Sequence, residues 1–423
     1  MLAHRVRAWL STVPLPRLRR TLLALYLATV VADAAGKTLA ANPAINRALT
    51  RRVGAASADE MREAARPSGN FEIFRTASRH LVSGTDLYAE YPDEHSDRFK
   101  YSPTFALLFA PFAWMPWPLA LVLWSTLNAL ALFVAVERVL PGRAGLLAML
   151  CLLLEVLRGM QNAQSNALVA GLIILAFLAL ERANAWRAAS AVVLGACVKI
   201  FPLAALTFAI PRRLALRTGA WALGAGVALV LLPLLVTSPA SLAAQYGWWR
   251  GVEQSDAQQR WYSVMELVHR CTGTSWPNWP IQLAGTLVLV APLALRRARW
   301  NDARFRFLYL CSVLLYVVLF NHQAERASYL IAFVGATLWY AGSARAPWQS
   351  WLFGVAFLTI PLLSTLVPGA VFRTPAVTLF RLVIPALAIW LVVQWEMLRP
   401  SRVMRAPSDS NPRMFAHVDA VQS

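Results

Sequence analysis

A polar segment between two apolar runs, residues 42–102, carries the side chains best suited to acid–base chemistry. It holds nine basic and nine acidic residues. Glu72, in NFEIFRTASRHL, is the leading candidate for a general base, a role in which a positioned carboxylate contributes about 10²–10⁴-fold to a rate. From the residues alone, a helix-surface ion pair with Arg75 or Arg79 is the better interpretation of Glu72. The runner-up is Asp86 in SGTDLY, where an aspartate is also typical of an ordinary turn.

A second group of side chains could bind an anion. Lys100 and Tyr101 lie in FKYSP, just before Pro103, whose ring suits the first turn of a helix and would place free backbone N–H groups nearby. Arg158 is another candidate, although it and Lys100 could equally anchor the chain at a membrane surface. Lys199 lies in the middle of an apolar run, where a charge is costly and usually functional.

Polar side chains recur in two further connections between apolar runs. RGMQNAQSN supplies four amides that could bind sugar hydroxyls or phosphate, or simply form an exposed loop: Gln161, Asn162, Gln164 and Asn166. NHQAER supplies His322 and Glu325, a second acid–base pair in which His322 could instead contact phosphate. We expect no zinc site, because no third ligand with suitable spacing is nearby.

The composition is that of an integral membrane protein. Hydrophobic residues make up 58% of the 423 positions and charged residues only 14%, with a mean hydropathy of +0.50. The net charge of +19 could indicate nucleic acid binding, but the basic residues cluster in short connections between apolar runs. That distribution is the positive-inside pattern, so no nucleic acid partner is expected.

The arginine-dense turns predict about ten crossings with both termini in the cytoplasm. The predicted parts are a cytoplasmic N-terminus (1–20), a transmembrane domain (21–400) and a cytoplasmic tail (401–423). Extracytoplasmic loops are predicted at 42–102, with short helices, and at 237–280. The crossings are predicted at 21–41, 118–140, 146–157, 167–180, 219–236, 281–295, 307–320, 327–340, 351–367 and 377–398.

Arginines flank both ends of the run 188–210, and Lys199 and Pro202 interrupt its centre. We interpret it as a re-entrant pair of half-helices, since irregular backbone at membrane depth must be buried in protein or line a wet cavity. A single kinked span is the alternative and would invert every later crossing. The run 104–116 is too short to span and is interpreted as a half-helix.

Two further groups in the polar loops have ordinary explanations that we favour. Five tryptophans of the second loop could stack on sugar faces, but an aromatic belt at the outer interface is the stronger interpretation: Trp248, Trp249, Trp261, Trp276 and Trp279. Asp93, Glu94 and Asp97 could hold a divalent cation, but a solvated charged surface is favoured.

Several of these blocks, taken in order, resemble glycosyltransferase family 87, the polyprenol-phosphate-sugar-dependent mannosyltransferases of the GT-C class. The blocks are NFEIFRTASRHL, SGTDLY, FKYSPTFALLFAPFAWMP, RGMQNAQSNALVAGLIILAFLALER, LGACVKIFPL and NHQAERASY, which together cover roughly residues 20–340. The resemblance implies a GT-C fold in the inner (plasma) membrane, a lipid-phosphate sugar donor, a glycan or glycolipid acceptor and chemistry on the extracytoplasmic face. It implies no nucleotide, no other cofactor and no essential metal.

Under this resemblance Glu72 takes the proton of the acceptor hydroxyl, the reaction inverts the anomeric carbon, and cations stabilise the departing lipid phosphate. The family commonly has an aspartate just before the first aromatic residue of the block, where this chain has Asn70. Two other classes compete with this interpretation. A transporter or flippase of lipid-linked sugars would also use a broken helix with a mid-membrane lysine, and a non-catalytic envelope-assembly protein is the third.

Overall fold

The secondary structure is all helical in the part of the chain that the computed structural model describes, and that part contains no strand. The described residues are 12–40, 42, 69–95, 97–342, 345–366 and 374–399. Most of the predicted N-terminal segment, residues 43–68 of the first polar loop and the predicted tail at 401–423 lie outside them.

The helices follow the apolar runs. In chain order they are α1 (Leu15–Ala40), α2 (Gly69–Ser83), α3 (Pro103–Leu108), α4 (Ala110–Trp114), α5 (Trp117–Val139), α6 (Arg143–Gln161), α7 (Asn166–Glu181), α8 (Ala185–Val198), α9 (Ala215–Leu231), α10 (Pro239–Asp256), α11 (Val264–Thr272), α12 (Asn278–Leu295), α13 (Ala303–Leu319), α14 (Tyr329–Ala341), α15 (Pro347–Phe357), α16 (Leu363–Leu366) and α17 (Pro375–Leu398). A π-helical segment, Leu358–Leu362, connects α15 to α16, and 3-10 segments follow α8 and α9.

Six helical segments among the described residues are long and apolar enough to cross a bilayer, which confirms a multi-pass helical membrane protein. They are Leu15–Leu39, Trp117–Val139, Arg143–Gln161, Ala215–Leu235, Asn278–Leu295 and Pro375–Leu398. Each of the other four predicted crossings coincides with a helix that is shorter or interrupted. At about 1.5 Å per residue, α7 is shorter than a hydrocarbon core of about 30 Å.

The described residues form two compact units, and the first comprises those that lie within 1–130, 156–165 and 230–252. Its core is a group of buried aromatic rings from α2 to α5. Phe74 lies edge-on to Phe105 at 5.0 Å, to Phe109 at 5.3 Å and to Trp124 at 6.1 Å between ring centroids. Edge-to-face aromatic pairs at such separations are favourable beyond the area that they bury, so this cluster fixes α2 on the two short helices α3 and α4.

The second unit comprises the described residues that lie within 131–155, 166–229 and 253–423. Within it, α7 packs on α8, while α13 packs on α14 and α17. A Cβ at Gly171 would lie 2.9 Å from the backbone of Ala131, so the close approach at that point requires glycine. Arg306 of α13 forms a buried two-pronged ion pair with Glu181 at the end of α7.

The predicted break in the run 188–210 is confirmed. Helix α8 ends at Val198, Lys199 is extended with φ −149° and ψ 134°, and a 3-10 segment occupies Phe201–Ala209. Pro202 lies in the first turn of that segment, where its missing N–H costs nothing.

The predicted polar loop at 158–166 is wrong in extent. Helix α6 continues through Gln161 and α7 begins at Asn166, so the loop is confined to residues 162–165. Met and Gln are good helix formers, and polarity alone does not stop a helix. Helix α6 ends just before Ala163, which adopts a left-handed φ of 47°. The Gln164 N–H then bonds the Gly159 carbonyl at 2.9 Å.

Candidate functional site

Glu72 lies in the first turn of α2 and is held by an aromatic side chain rather than by a cation. The Trp117 indole N–H donates to one of its carboxylate oxygens at 2.5 Å, and Phe71 meets the same indole ring edge-on. Among the described residues, no ion pair within 4 Å joins Glu72 to either neighbouring arginine. Arg79 instead donates to the Ala113 carbonyl at 3.1 Å, and Arg75 is buried. The close surface ion pair favoured from the residues alone is therefore not formed, although the charge of Glu72 still acts on Arg75.

Helix α2 ends where its sequence dictates. Gly84 follows Ser83 with φ +73°, a left-handed conformation that glycine adopts without strain. The Thr85 N–H then bonds the His80 carbonyl at 2.9 Å and closes the last turn.

Asn70 connects the first turn of α2 to the loop after α6. Its side-chain amide donates to the Asn162 carbonyl at 2.9 Å, and the Asn162 side chain donates back to the Arg158 carbonyl at 3.0 Å. An ionised aspartate has no N–H to donate. The asparagine at this position is therefore explained by a structural contact, and that contact brings the turn bearing Glu72 against the segment bearing Arg158.

A buried ion pair near the end of α1 contacts the same segment. Lys37 bonds Asp33 at 2.9 Å, with 12% and 9% of the two side chains exposed, and it also donates to the Met160 carbonyl at 3.1 Å. This pair is not among the residues predicted from the sequence. The spacing of four residues, aspartate before lysine on one helical face, was the available signal.

Asp86 has the hydrogen bonds of a turn residue. Its carboxylate accepts from the Tyr88 N–H at 2.8 Å, and its carbonyl accepts from the Tyr91 hydroxyl. The buried Gln245 holds the turn from both sides, accepting from the Leu87 N–H at 3.1 Å and donating to the Thr85 carbonyl at 2.7 Å. This arrangement fits the turn interpretation of Asp86 that the sequence left open.

Lys100 and Tyr101 precede α3, which begins at Pro103 as predicted. Ser102 caps that helix by accepting from the Phe105 N–H at 3.1 Å, so one of the backbone N–H groups of the first turn is already satisfied. The Trp249 indole donates to the Lys100 carbonyl at 3.3 Å. The Tyr101 ring packs edge-on to Phe74 at 4.9 Å and belongs to the aromatic core.

Within the second unit, Lys199 joins three segments that lie far apart in the chain. Its ammonium group donates to the side-chain carbonyl of Asn166 at 2.9 Å, and the Asn166 amide donates to the Ala327 carbonyl at 2.9 Å. The exposed carboxylate of Glu325 is the acidic group that interacts electrostatically with the lysine. Lys199 thus contacts protein groups from other segments, and its role in phosphate binding stays a prediction.

His322 points one ring nitrogen at a partner and leaves the other without one. Nδ1 lies 3.3 Å from the side-chain nitrogen of Gln282, whereas Nε2 is buried and bonds no described residue. Burial lowers the pKa of His322, and the charge of Asp256 opposes that shift. A neutral ring that accepts from Gln282 at Nδ1 carries its proton on Nε2, so Nε2 is a donor available to a ligand.

Asp256, which sequence analysis missed, lies at the end of α10 with 7% exposure. One of its oxygens accepts from the Gln259 amide at 2.8 Å and the other from the Gln323 amide at 3.3 Å. It lies in the tryptophan-rich loop, where the residues considered from the sequence were the tryptophans. An isolated acid in a polar loop gives no signal that it is buried.

Two of the three carboxylates considered for metal binding have other contacts. Glu94 lies 3.2 Å from the His80 ring nitrogen, and Asp97 accepts from the Arg98 N–H. No cluster of three or more histidine, cysteine or acidic side chains suited to a metal ion occurs in the described part of the chain.

Comparison with known proteins gives one family. The model of Glycosyltransferase family 87 matches residues 99–321, more than half of the chain, and confirms the resemblance seen in the sequence blocks. No curated protein matches the chain. Glu72 and Asp86 precede the matched range, whereas His322 and Glu325 follow it. Six predicted site residues lie inside it: Lys100, Tyr101, Arg158, Gln161, Asn162 and Lys199.

Proposed function

Because the chain belongs to glycosyltransferase family 87, we propose that this membrane glycosyltransferase takes its sugar from a polyprenyl phosphate. The sugar we propose is mannose, and the acceptor is a glycan or glycolipid. The acceptor hydroxyl oxygen attacks the anomeric carbon while the bond from that carbon to the phosphate oxygen breaks. Polyprenyl phosphate leaves as the dianion, and a single displacement inverts the anomeric centre.

We assign the general base to Glu72, and the bond from Asn70 to the Asn162 carbonyl carries this assignment. It holds the turn that bears Glu72 against the segment that supplies Arg158, a cation suited to the leaving phosphate. Trp117 orients one carboxylate oxygen of Glu72, and no described residue donates to the other. That second oxygen is the one that would accept the hydroxyl proton.

The remaining substrate contacts are proposals to be tested by individual substitutions. A cation stabilises a developing phosphate dianion best where water is excluded, and the half-buried Lys199 meets that requirement. His322 would donate from Nε2. The other proposed contacts are Lys100, Tyr101, Gln161, Asn162 and Glu325.

The proposed architecture is of the GT-C type, with about ten crossings in the inner (plasma) membrane. Helices occupy all ten apolar runs that the sequence assigns to crossings, which supports this count. We place both termini in the cytoplasm and the catalytic residues on the extracytoplasmic face, following the arginine-dense turns.

The deciding experiment is transfer by the purified protein in lipid nanodiscs. Radiolabelled polyprenyl-phosphate mannose is the donor, and a lipid and glycan extract of the producing cells is the acceptor. Wild type should form a labelled product in which the sugar is covalently linked to a new acceptor. Glu72→Gln should lose about 10²-fold or more, since the amide cannot take the proton.

Glu90→Gln is the matched control, because Glu90 is an exposed glutamate of the same polar segment paired with Arg98. It should keep wild-type turnover. Normal turnover by Glu72→Gln, with loss in Asp86→Asn, would move the base to Asp86. The same donors are also tested in proteoliposomes, which have two compartments. If label from mannosyl, arabinosyl and galactosyl donors only crosses that membrane without forming a product, the protein is instead a transporter of lipid-linked sugars.

A further inference from the structure

A pocket of about 360 Å³ lies within the second unit, between the segment 259–262, helix α11 and the first turns of α17. Its apolar walls are Trp261, Tyr262, Pro375 and Leu379. This volume falls in the range of small-molecule sites, about 300–1,000 Å³. None of the substrate contacts assigned above lines it.

The polar edge of the pocket presents hydrogen-bond donors and acceptors side by side. Glu266 and Arg270 lie one turn apart on α11, with the arginine Nε 2.6 Å from a carboxylate oxygen. Gln259 adds an amide. Planar carboxylate, guanidinium and amide groups match pairs of neighbouring hydroxyls. Arg260 also lines the pocket, and the charge of Glu266 is paired with Arg270, so hydroxyl groups can accept from the arginines and donate to the carboxylate.

Trp261 is held in place although about half of it is exposed. Its indole N–H donates to the Gln259 side-chain oxygen, and the backbone N–H of Tyr262 donates to the Ala324 carbonyl at 3.1 Å. Arg260 anchors the same segment by donating to the Trp276 carbonyl at 3.1 Å. An exposed ring fixed in this way is ready to stack on a ligand without a large ordering cost.

The pocket shares a hydrogen-bond chain with the loop that carries His322. Gln259 contacts Trp261 through its oxygen and the buried Asp256 through its nitrogen, and the other oxygen of Asp256 accepts from Gln323 at 3.3 Å. Gln323 directly follows His322 in the chain. All of these groups lie in the second unit. A ligand in the pocket would therefore be coupled to the loop that carries His322, whose Nε2 is proposed to donate a hydrogen bond to the phosphate.

We propose that this pocket binds a sugar ring of the acceptor, with Trp261 stacked on the C–H face of the ring and Glu266, Arg270 and Gln259 bonded to its hydroxyls. The proposal rests on the glycosyltransferase function and extends it, because it assigns the sugar of the acceptor a binding site.

The first test measures binding without any donor. Saturation-transfer NMR on the full-length protein in detergent uses methyl glycosides of mannose, glucose, galactose and arabinose as probes. Wild type should bind at least one of them. Trp261→Ala and Glu266→Gln should each bind that glycoside about tenfold more weakly, the loss expected for a central aromatic contact or a charged hydrogen bond.

Trp279→Ala is the matched control, because Trp279 is exposed in the same loop but does not line the pocket. It should bind as wild type does. Equal binding by Trp261→Ala and wild type would overturn the proposal, as would the absence of binding to all four glycosides.

The second test separates acceptor sugar from donor sugar. In the transfer assay, Trp261→Ala should raise the KM for the acceptor about tenfold and leave the KM for the donor unchanged. A rise in the donor KM alone would overturn the acceptor assignment. Glycoside binding that depends on Trp261, in a protein that does not turn over polyprenyl-phosphate sugars, would uphold the pocket and refute the proposed donor. If wild type turns over the donor and Trp261→Ala changes neither glycoside binding nor the acceptor KM, the proposed donor is upheld and the pocket is refuted.

Discussion

Replacing Arg306 by methionine should destabilise the protein severely, because it leaves a buried carboxylate without its partner. Arg306 donates to both oxygens of Glu181, each at 2.7 Å, and to the Trp300 carbonyl at 2.9 Å. Only 6% of the arginine side chain and 9% of the glutamate side chain are exposed. Removing one partner of such a pair costs about 3–5 kcal/mol.

Removing both partners should lower the free energy of unfolding far less. In Arg306→Met/Glu181→Leu no uncompensated charge stays buried, and well-packed apolar replacements of buried ion pairs are often neutral. The two single substitutions and the double substitution form a thermodynamic cycle. Its coupling energy should be about 3 kcal/mol, at the upper end for residues that share one network.

The assay is equilibrium unfolding in mixed detergent micelles, with the free energy of unfolding extrapolated to zero denaturant. The exposed pair Arg98–Glu90 is the control, since 46% and 65% of its side chains are exposed. Arg98→Met should cost no more than about 1 kcal/mol. If Arg306→Met lowers the free energy of unfolding as little as Arg98→Met does, the buried ion pair does not stabilise the fold as argued.

Three further predictions concern the site and the topology. Asn70→Asp loses the donor to the Asn162 carbonyl, a bond worth about 1 kcal/mol, so amide exchange around residues 160–163 should quicken roughly fivefold by mass spectrometry. NMR of labelled histidine should give His322 a pKa below its usual 6.5, and Asp256→Asn should lower that pKa further by removing the opposing charge. A neutral His322 stabilises the fold above about pH 6.5, and that contribution should be lost as pH falls through the folded-state pKa. Cys271, the exposed cysteine of the second loop, should react with an impermeant maleimide in right-side-out spheroplasts.

Each of these has a contradicting result. Unchanged exchange in Asn70→Asp would mean that other contacts hold the loop after α6. A His322 pKa at or above 6.5 would mean that its ring is hydrated. Labelling of Cys271 only after permeabilisation would place the second loop in the cytoplasm, with Cys271→Ser as the control for specificity.

The arginine-dense turn before α13 illustrates how one pattern can have two causes. From the sequence it was a topology signal, because clustered arginines favour the cytoplasmic side. In the fold these arginines also have specific partners. Arg296 bonds the Leu398 carbonyl and Arg299 bonds the Met397 carbonyl at 3.0 Å, so both satisfy the free carbonyls at the end of α17.

The sequence by itself determined the membrane class, the position of most helices, the break at Lys199 and the family resemblance. These follow from local properties: the length of an apolar run, the backbone preference of Gly84 or Pro103, and the order of short blocks along the chain. The extent of α6 was the exception, because polar residues that favour helices do not mark where a helix ends.

Only the tertiary structure decided which partners the polar side chains have. Glu72 meets Trp117 across 45 positions, Asn70 meets Asn162 across 92, and Lys199 meets Asn166 across 33. A hydrogen bond requires atoms within about 3 Å, and packing of distant helices sets that distance. The same packing buried Asp256 and gave Trp261 a pocket, so the residues of the candidate site acquire their roles only where the helices bring them together.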